Sequence, residues 1–207
     1  MRRAISLGQR PGRGHGGQTI AEFALVVPFL VALFVVLMEL VLAMVATVGV
    51  NRASQNGAHV AAASGNIAGA DCLILRQITT DLGAPNDVAN IREIRIERTA
   101  LAGNLSYGQQ RWLPSGPRDC QLPDGTTIQL PFVLTTSGYP ESQRCTVLGG
   151  CPLLTPARST VDNIGVRILY RHEWVTPLSG VLNLLWPGGA GGWTFEQRNI
   201  FRMEPTL

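Results

Sequence analysis

The sequence predicts an α+β protein: a long N-terminal transmembrane helix extending into a small exported domain built on an antiparallel sheet. Three observations carry this. Of the 28 residues from 23 to 50, 24 are apolar, interrupted by Pro28, Glu39, Thr47 and Gly49. Downstream, several segments alternate apolar and polar residues with the period of a half-buried strand. All four cysteines lie beyond the apolar run. At 207 residues, 45% hydrophobic and 15% charged, with mean hydropathy +0.16, the chain is neither a disordered segment nor a disulfide-only scaffold, and so long an apolar run argues against a freely soluble protein.

A helix over residues 23–50 rises about 42 Å at 1.5 Å per residue, against about 30 Å of hydrocarbon. Eighteen Leu, Val and Phe residues fall within it. At about −0.3 to −0.6 kcal/mol each they outweigh one central acid at about +3 kcal/mol, so Glu39 does not veto insertion. The carboxylate must be protonated, snorkel, find a polar partner on an adjacent helix, or reach the outer interface through an outward shift of the helix. Arg2, Arg3, Arg10 and Arg13 precede the run and only Arg52 follows it closely. The positive-inside rule therefore expects a single-pass protein of the bacterial inner (cytoplasmic) membrane, with its N-terminus in the cytoplasm and residues 51–207 outside. The apolar core is much longer than the roughly 7–15 residues of a cleaved signal peptide, so the segment reads as an anchor.

The small, polar residues 51–69 continue the helix as a stalk, ended by Gly65 and Gly69. Residues 72–82 read as a short second helix, stopped by Gly83 and Pro85. Strand alternation follows at residues 94–97, at 128–135 (with Pro131 making this an edge), at 164–174 and at 193–203. In the third, Ile164, Val166, Ile168, Tyr170, His172 and Trp174 share one face. His172 thus reads as a core histidine rather than a ligand. The apolar stretch 178–186 suits an interfacial or subunit-contact patch, or a buried hairpin tip. The expected organisation is a leader at 1–17, the transmembrane helix at 18–50, the stalk at 51–69 and the exported domain at 70–207.

Charge and motif content narrow the chemistry. All 17 basic residues are arginine, and the four before residue 14 leave thirteen against fourteen acids in the remainder. The body is near neutral and has no basic stripe with interleaved aromatics, so no nucleic-acid partner is expected. No nucleophile elbow, phosphate loop or paired-carboxylate motif is present. His15 and His59 lack metal-ligand spacing, so neither metal, cofactor nor enzymatic activity is expected. Cys72, Cys120, Cys145 and Cys151 form an even set in an exported region and read as two disulfides among three connectivities, with Cys145 and Cys151, flanking Gly149 and Gly150, the favoured pair.

Residues 12–23 pass from a Gly/Arg-rich leader through Gly17, Gln18 and Glu22 to Phe23 and the apolar run. Cleavage after Gly17 would leave Gln18 first and Glu22 fifth. A carboxylate at the hydrocarbon margin is costly unless paired. The freed α-amine of a neighbouring subunit would supply a cation at that depth, making Glu22 a register pin. A helix N-terminal acid favoured by the macrodipole is the other reading. The stretch from Gly17 through Glu22, Phe23, Ala24 and Pro28, followed by the apolar run and residues 51–58, resembles the TadE-like pseudopilins of the tight-adherence (Tad) pilus. The resemblance covers residues 14–64, with a looser echo at 163–174 and at Arg202–Pro205.

It implies a pilin-like fold and a minor pilin or pseudopilin that assembles through its N-terminal helix, with Glu22 and Glu39 as assembly residues. It also implies processing by a prepilin peptidase at Gly17, Gln18, Glu22 and Phe23. The implied partners are that peptidase, other pilin and pseudopilin subunits, the inner-membrane assembly platform and membrane lipid. The alternative is an unprocessed signal-anchored surface protein with a ligand-binding or adhesive exported domain.

Overall fold

The computed structural model describes residues 16–83, 86–100, 106–147, 150–151, 160–175 and 192–203, with side chains from residue 20 onward. The chain divides into two compact units, Met1–Met38 and Glu39–Leu207. The described part of the first is the opening of α1 (Gly16–Ser64), a 49-residue helix that contains Pro28. The second holds the remainder of α1, then α2 (Ala70–Asp81) and five strands. These are β1 (Ile91–Thr99), β2 (Ser106–Gln121), β3 (Thr127–Ser137), β4 (Asn163–His172) and β5 (Trp193–Arg202). They form one antiparallel sheet in the order β3-β2-β1-β4-β5. The α+β class expected from the sequence is the one observed.

Two left-handed glycines make the turn between the helices, Gly65 at φ 64° and Gly69 at φ 84°. A Cβ on Gly69 would lie 2.6 Å from the Gln121 carbonyl oxygen, so both its backbone angle and its surroundings require glycine. The orphan amides at the start of α2 are satisfied from far along the chain. The Glu141 carboxylate accepts from the Gly69 N–H at 3.0 Å and the Asp71 N–H at 2.6 Å.

One face of the sheet carries Ile94, Ile96, Ile164, Val166, Ile168 and Tyr170, all buried. Against it lie Ala53, Ala58 and Ala61 of α1 and Ile74, Leu75 and Ile78 of α2 in one continuous core. Residues 51–64 therefore do not form a free stalk: their small side chains let α1 approach the sheet closely. At Gly57 a Cβ would already stand 2.9 Å from the Ile78 side chain. The Ser54 hydroxyl donates to the Val166 carbonyl at 2.8 Å, tying helix to strand in the middle of the core.

β2 has no counterpart in the sequence expectation. Its residues are mostly polar and include Pro114 and Pro117, which cannot donate to a ladder. The register explains how they are accommodated. β2 pairs with β1 only between Ser106 and Trp112, and beyond that with β3 alone, with a shift between Pro114 and Arg118. β3 is an edge strand, as Pro131 indicated.

Three features complete the domain. Disulfides join Cys72 to Cys120 and Cys145 to Cys151. The first closes a 48-residue separation between α2 and β2. Asp71 accepts from the fully buried Arg144 and from Gln110, and the Arg144 guanidinium lies 5.4 Å from the Tyr139 ring centre. On the other face of the sheet, Glu93 accepts two hydrogen bonds from Arg111, at 2.7 and 2.9 Å, and one from Arg95. Burial alone pushes the Glu93 carboxyl up, but these hydrogen bonds outweigh it and hold its pKa at about 2.

Candidate assembly site on the long helix

Along α1 two surfaces succeed one another. From Phe23 to Met38 no residue is buried, and Phe23, Leu25 and Phe29 are each about 70–80% exposed. This is a helix apolar on every side, the pattern of a segment whose solvent is lipid. The segment within Ile20–Ser64 is long and apolar enough to cross a membrane, with 6% of its most hydropathic window buried.

At Glu39 the pattern changes. Glu39, Ala43, Ala46, Val50, Ala53, Ala58, Ala61 and Ala62 are buried. Their spacing of three and four over most of that length traces one face of a helix. Leu40, Val41, Met44, Val45 and Val48 remain exposed on the rest of the surface. Asn51 continues the contact with the sheet, receiving the Asn199 amide at both its backbone and side-chain oxygens, at 3.3 and 3.1 Å.

The residues singled out at the junction are set as follows. Gly17 and Gln18 lie in the first turns of α1. Glu22 and Phe23 are exposed one turn further on, so the acid stands on the helix surface immediately before the lipid-like stretch.

Glu39 lies elsewhere altogether. Only 4% exposed, it is turned into the domain. Its Oε1 accepts the Val175 N–H at 2.9 Å and stands 3.7 Å from His172 Nε2. Within the chain, Glu39 thus has polar neighbours at and just beyond the end of β4. His172 is the buried histidine its alternating strand implied, and its ring also meets Trp174 edge to face at 6.1 Å. Reading the sequence missed this pairing, although an acid inside an apolar helix and a histidine on an apolar strand face were both visible. Among the described residues no cluster of His, Cys, Asp and Glu could hold a metal ion.

Helix and sheet together define a class: an α+β domain carried on a helix able to span a membrane. The particular relationship comes from comparison, in which a family model described as TadE-like protein matches residues 17–59. The match begins at the junction glycine and runs through the membrane-capable stretch into the part of α1 that packs on the sheet. It is consistent with a TadE-like pilin-family protein and supports a Tad pilus-associated protein. The match covers residues 17–59 of the 207. No curated protein and no solved structure matches the chain.

Proposed function

We propose that this protein is a minor pilin or pseudopilin of a Tad-type pilus, held in the inner membrane with its N-terminus in the cytoplasm and the domain from Glu39 onward exported. A prepilin peptidase cuts between Gly17 and Gln18. The processed chain then assembles with other pilins through α1, delivered by the inner-membrane platform. The observation that carries the reading is the family match over residues 17–59 falling on a helix whose first half is apolar and exposed all round. Such a surface is stable only in lipid or against other helices.

Glu22 is the register pin, pairing with the freed α-amine of a neighbouring subunit at the cytoplasmic margin. Glu39 is the second assembly residue, and within its own chain it also accepts the Val175 N–H. Peptide mapping of the mature protein from its native host tests the processing step: the expected N-terminus is Gln18 or its cyclised form. Replacing Gly17 with a bulky residue is expected to block processing while membrane integration persists. An intact Met1 in the native host would instead favour the unprocessed, signal-anchored protein. Glu22→Ala is expected to be processed normally and to co-purify with fewer partner pilins.

A further inference from the structure

Because Glu39 Oε1 accepts the Val175 N–H, the C-terminal end of β4 lies beside the first domain residues of α1. At that end Val175 is 72% exposed and Trp193, paired with His172 at the start of β5, is 50% exposed. Trp174 is half-buried against the His172 ring. On α1 itself Leu40 and Val41 are exposed at the same level. A single exposed apolar residue needs no explanation, but a collar of them does. The opposite end of the domain differs in kind: the β2–β3 turn carries Pro123, Asp124, Gly125 and Thr126.

Lengths along the helix give the collar its surroundings. With Phe23 at the cytoplasmic border, about 30 Å of hydrocarbon ends near residue 43 at 1.5 Å per residue. Leu40, Val41 and the Glu39–Val175 contact then fall at the outer border. Tryptophan favours that layer because its ring is apolar while its N–H needs a polar partner. No charged residue stands between Glu173 and Glu196 in the sequence. Arg92 and Glu173, an exposed ion pair at 3.7 Å, supply the polar side of the rim.

We propose that this end of the domain, formed by Trp174, Val175 and Trp193 with Leu40 and Val41, is a membrane-contact surface that rests in the interfacial layer of the bilayer its own helix spans. Its partner is lipid. The arrangement also accounts for the carboxylate in the apolar run: at the hydrocarbon margin, Glu39 is covered by the domain and given a backbone N–H and an imidazole, instead of facing acyl chains. The proposal rests on α1 spanning the membrane with the domain exported.

Depth measurement on the full-length protein in phosphatidylcholine/phosphatidylglycerol nanodiscs tests it. A single nitroxide is placed at Val175→Cys, with Leu33→Cys and Thr127→Cys as references and the native cysteines left in their disulfides. All three sites are exposed on their own unit, so labelling leaves the core intact. The ratio of collision rates with oxygen and with a water-soluble nickel chelate is expected to be several-fold higher at Val175 than at Thr127, and to approach that at Leu33. A ratio at Val175 equal to that at Thr127, with Leu33 lipid-like, would overturn the contact surface alone. Low collision rates with both reagents would mean that protein covers the site and would also overturn it. A water-like ratio at Leu33 would remove the spanning reading and the proposal together.

Discussion

The two halves of α1 are the same secondary structure written in the same apolar alphabet, yet they solve different problems. Before Glu39 the helix is rich in Leu, Val and Phe and exposes them in every direction. After it, one buried face is made mostly of alanine, and the bulk on that side comes from Ile74, Ile78, Ile94, Val166 and Ile168 across the contact. Large side chains all round suit a fluid solvent that adapts to any shape. Small ones suit a fixed partner, because close packing rewards a thin helix surface facing a thick sheet surface. Hydropathy does not separate the two cases; side-chain size on one face does.

Four changes would break or sharpen that contrast. The largest effect is expected from charging the first half: Leu33→Arg with Val36→Arg costs insertion about 7 kcal/mol, summing the central-position values. Carbonate extraction should find the protein released from membranes. Its domain should still melt cooperatively, because neither residue is buried in it.

Next comes the buried ion pair of the second unit. Arg144→Met strands the Asp71 carboxylate in the core and is expected to cost about 3–5 kcal/mol in urea unfolding. Arg144→Met with Asp71→Leu should recover most of that loss, since two apolar side chains leave no unpaired charge.

The boundary itself is tested by Glu39. Glu39→Leu removes the acceptor of the Val175 N–H and is expected to lower domain stability by about 1–2 kcal/mol while membrane integration holds or improves. Glu39→Gln keeps an acceptor and should lose less. A domain melting temperature unchanged in Glu39→Leu would move the boundary between the two regimes away from this residue.

The smallest effect concerns the outer face of the sheet. Glu93 titrates at about 2 in the fold, against 4.5 for the free side chain. A lowered carboxyl pKa contributes stability that is complete above the free value and is lost as pH falls through the folded one. Stability should therefore decline between about pH 4.5 and pH 2, by about 1–2 kcal/mol once solvent screening of the partly exposed arginines is allowed for. Glu93→Gln should remove that part of the pH dependence, as read by chemical denaturation at several pH values.

Much of this architecture is legible in residue order. The apolar run, the arginines before it and the Gly17-to-Phe23 junction are local signals. So is the alternation that marks β1, β3, β4 and β5, because a period of two or 3.6 residues survives without knowledge of what packs against it. β2 was not legible, because its polar residues and two prolines carry no alternation. It exists because β1 and β3 each offer it an open edge, and the prolines sit where only one side is paired. The favoured pair Cys145–Cys151 left Cys72 to Cys120 by elimination, but only the fold shows what brings α2 beside β2.

What the sequence determined by itself is that residues 23–50 are helical and apolar enough to enter a bilayer, because both propensity and transfer free energy sum over neighbours in the chain. What only the tertiary structure decided is where that helix begins to pack into the domain. Glu39 and His172 are 133 positions apart in the chain, and the cost of burying a carboxylate depends on what stands within about 4 Å of it, a distance that no local pattern encodes.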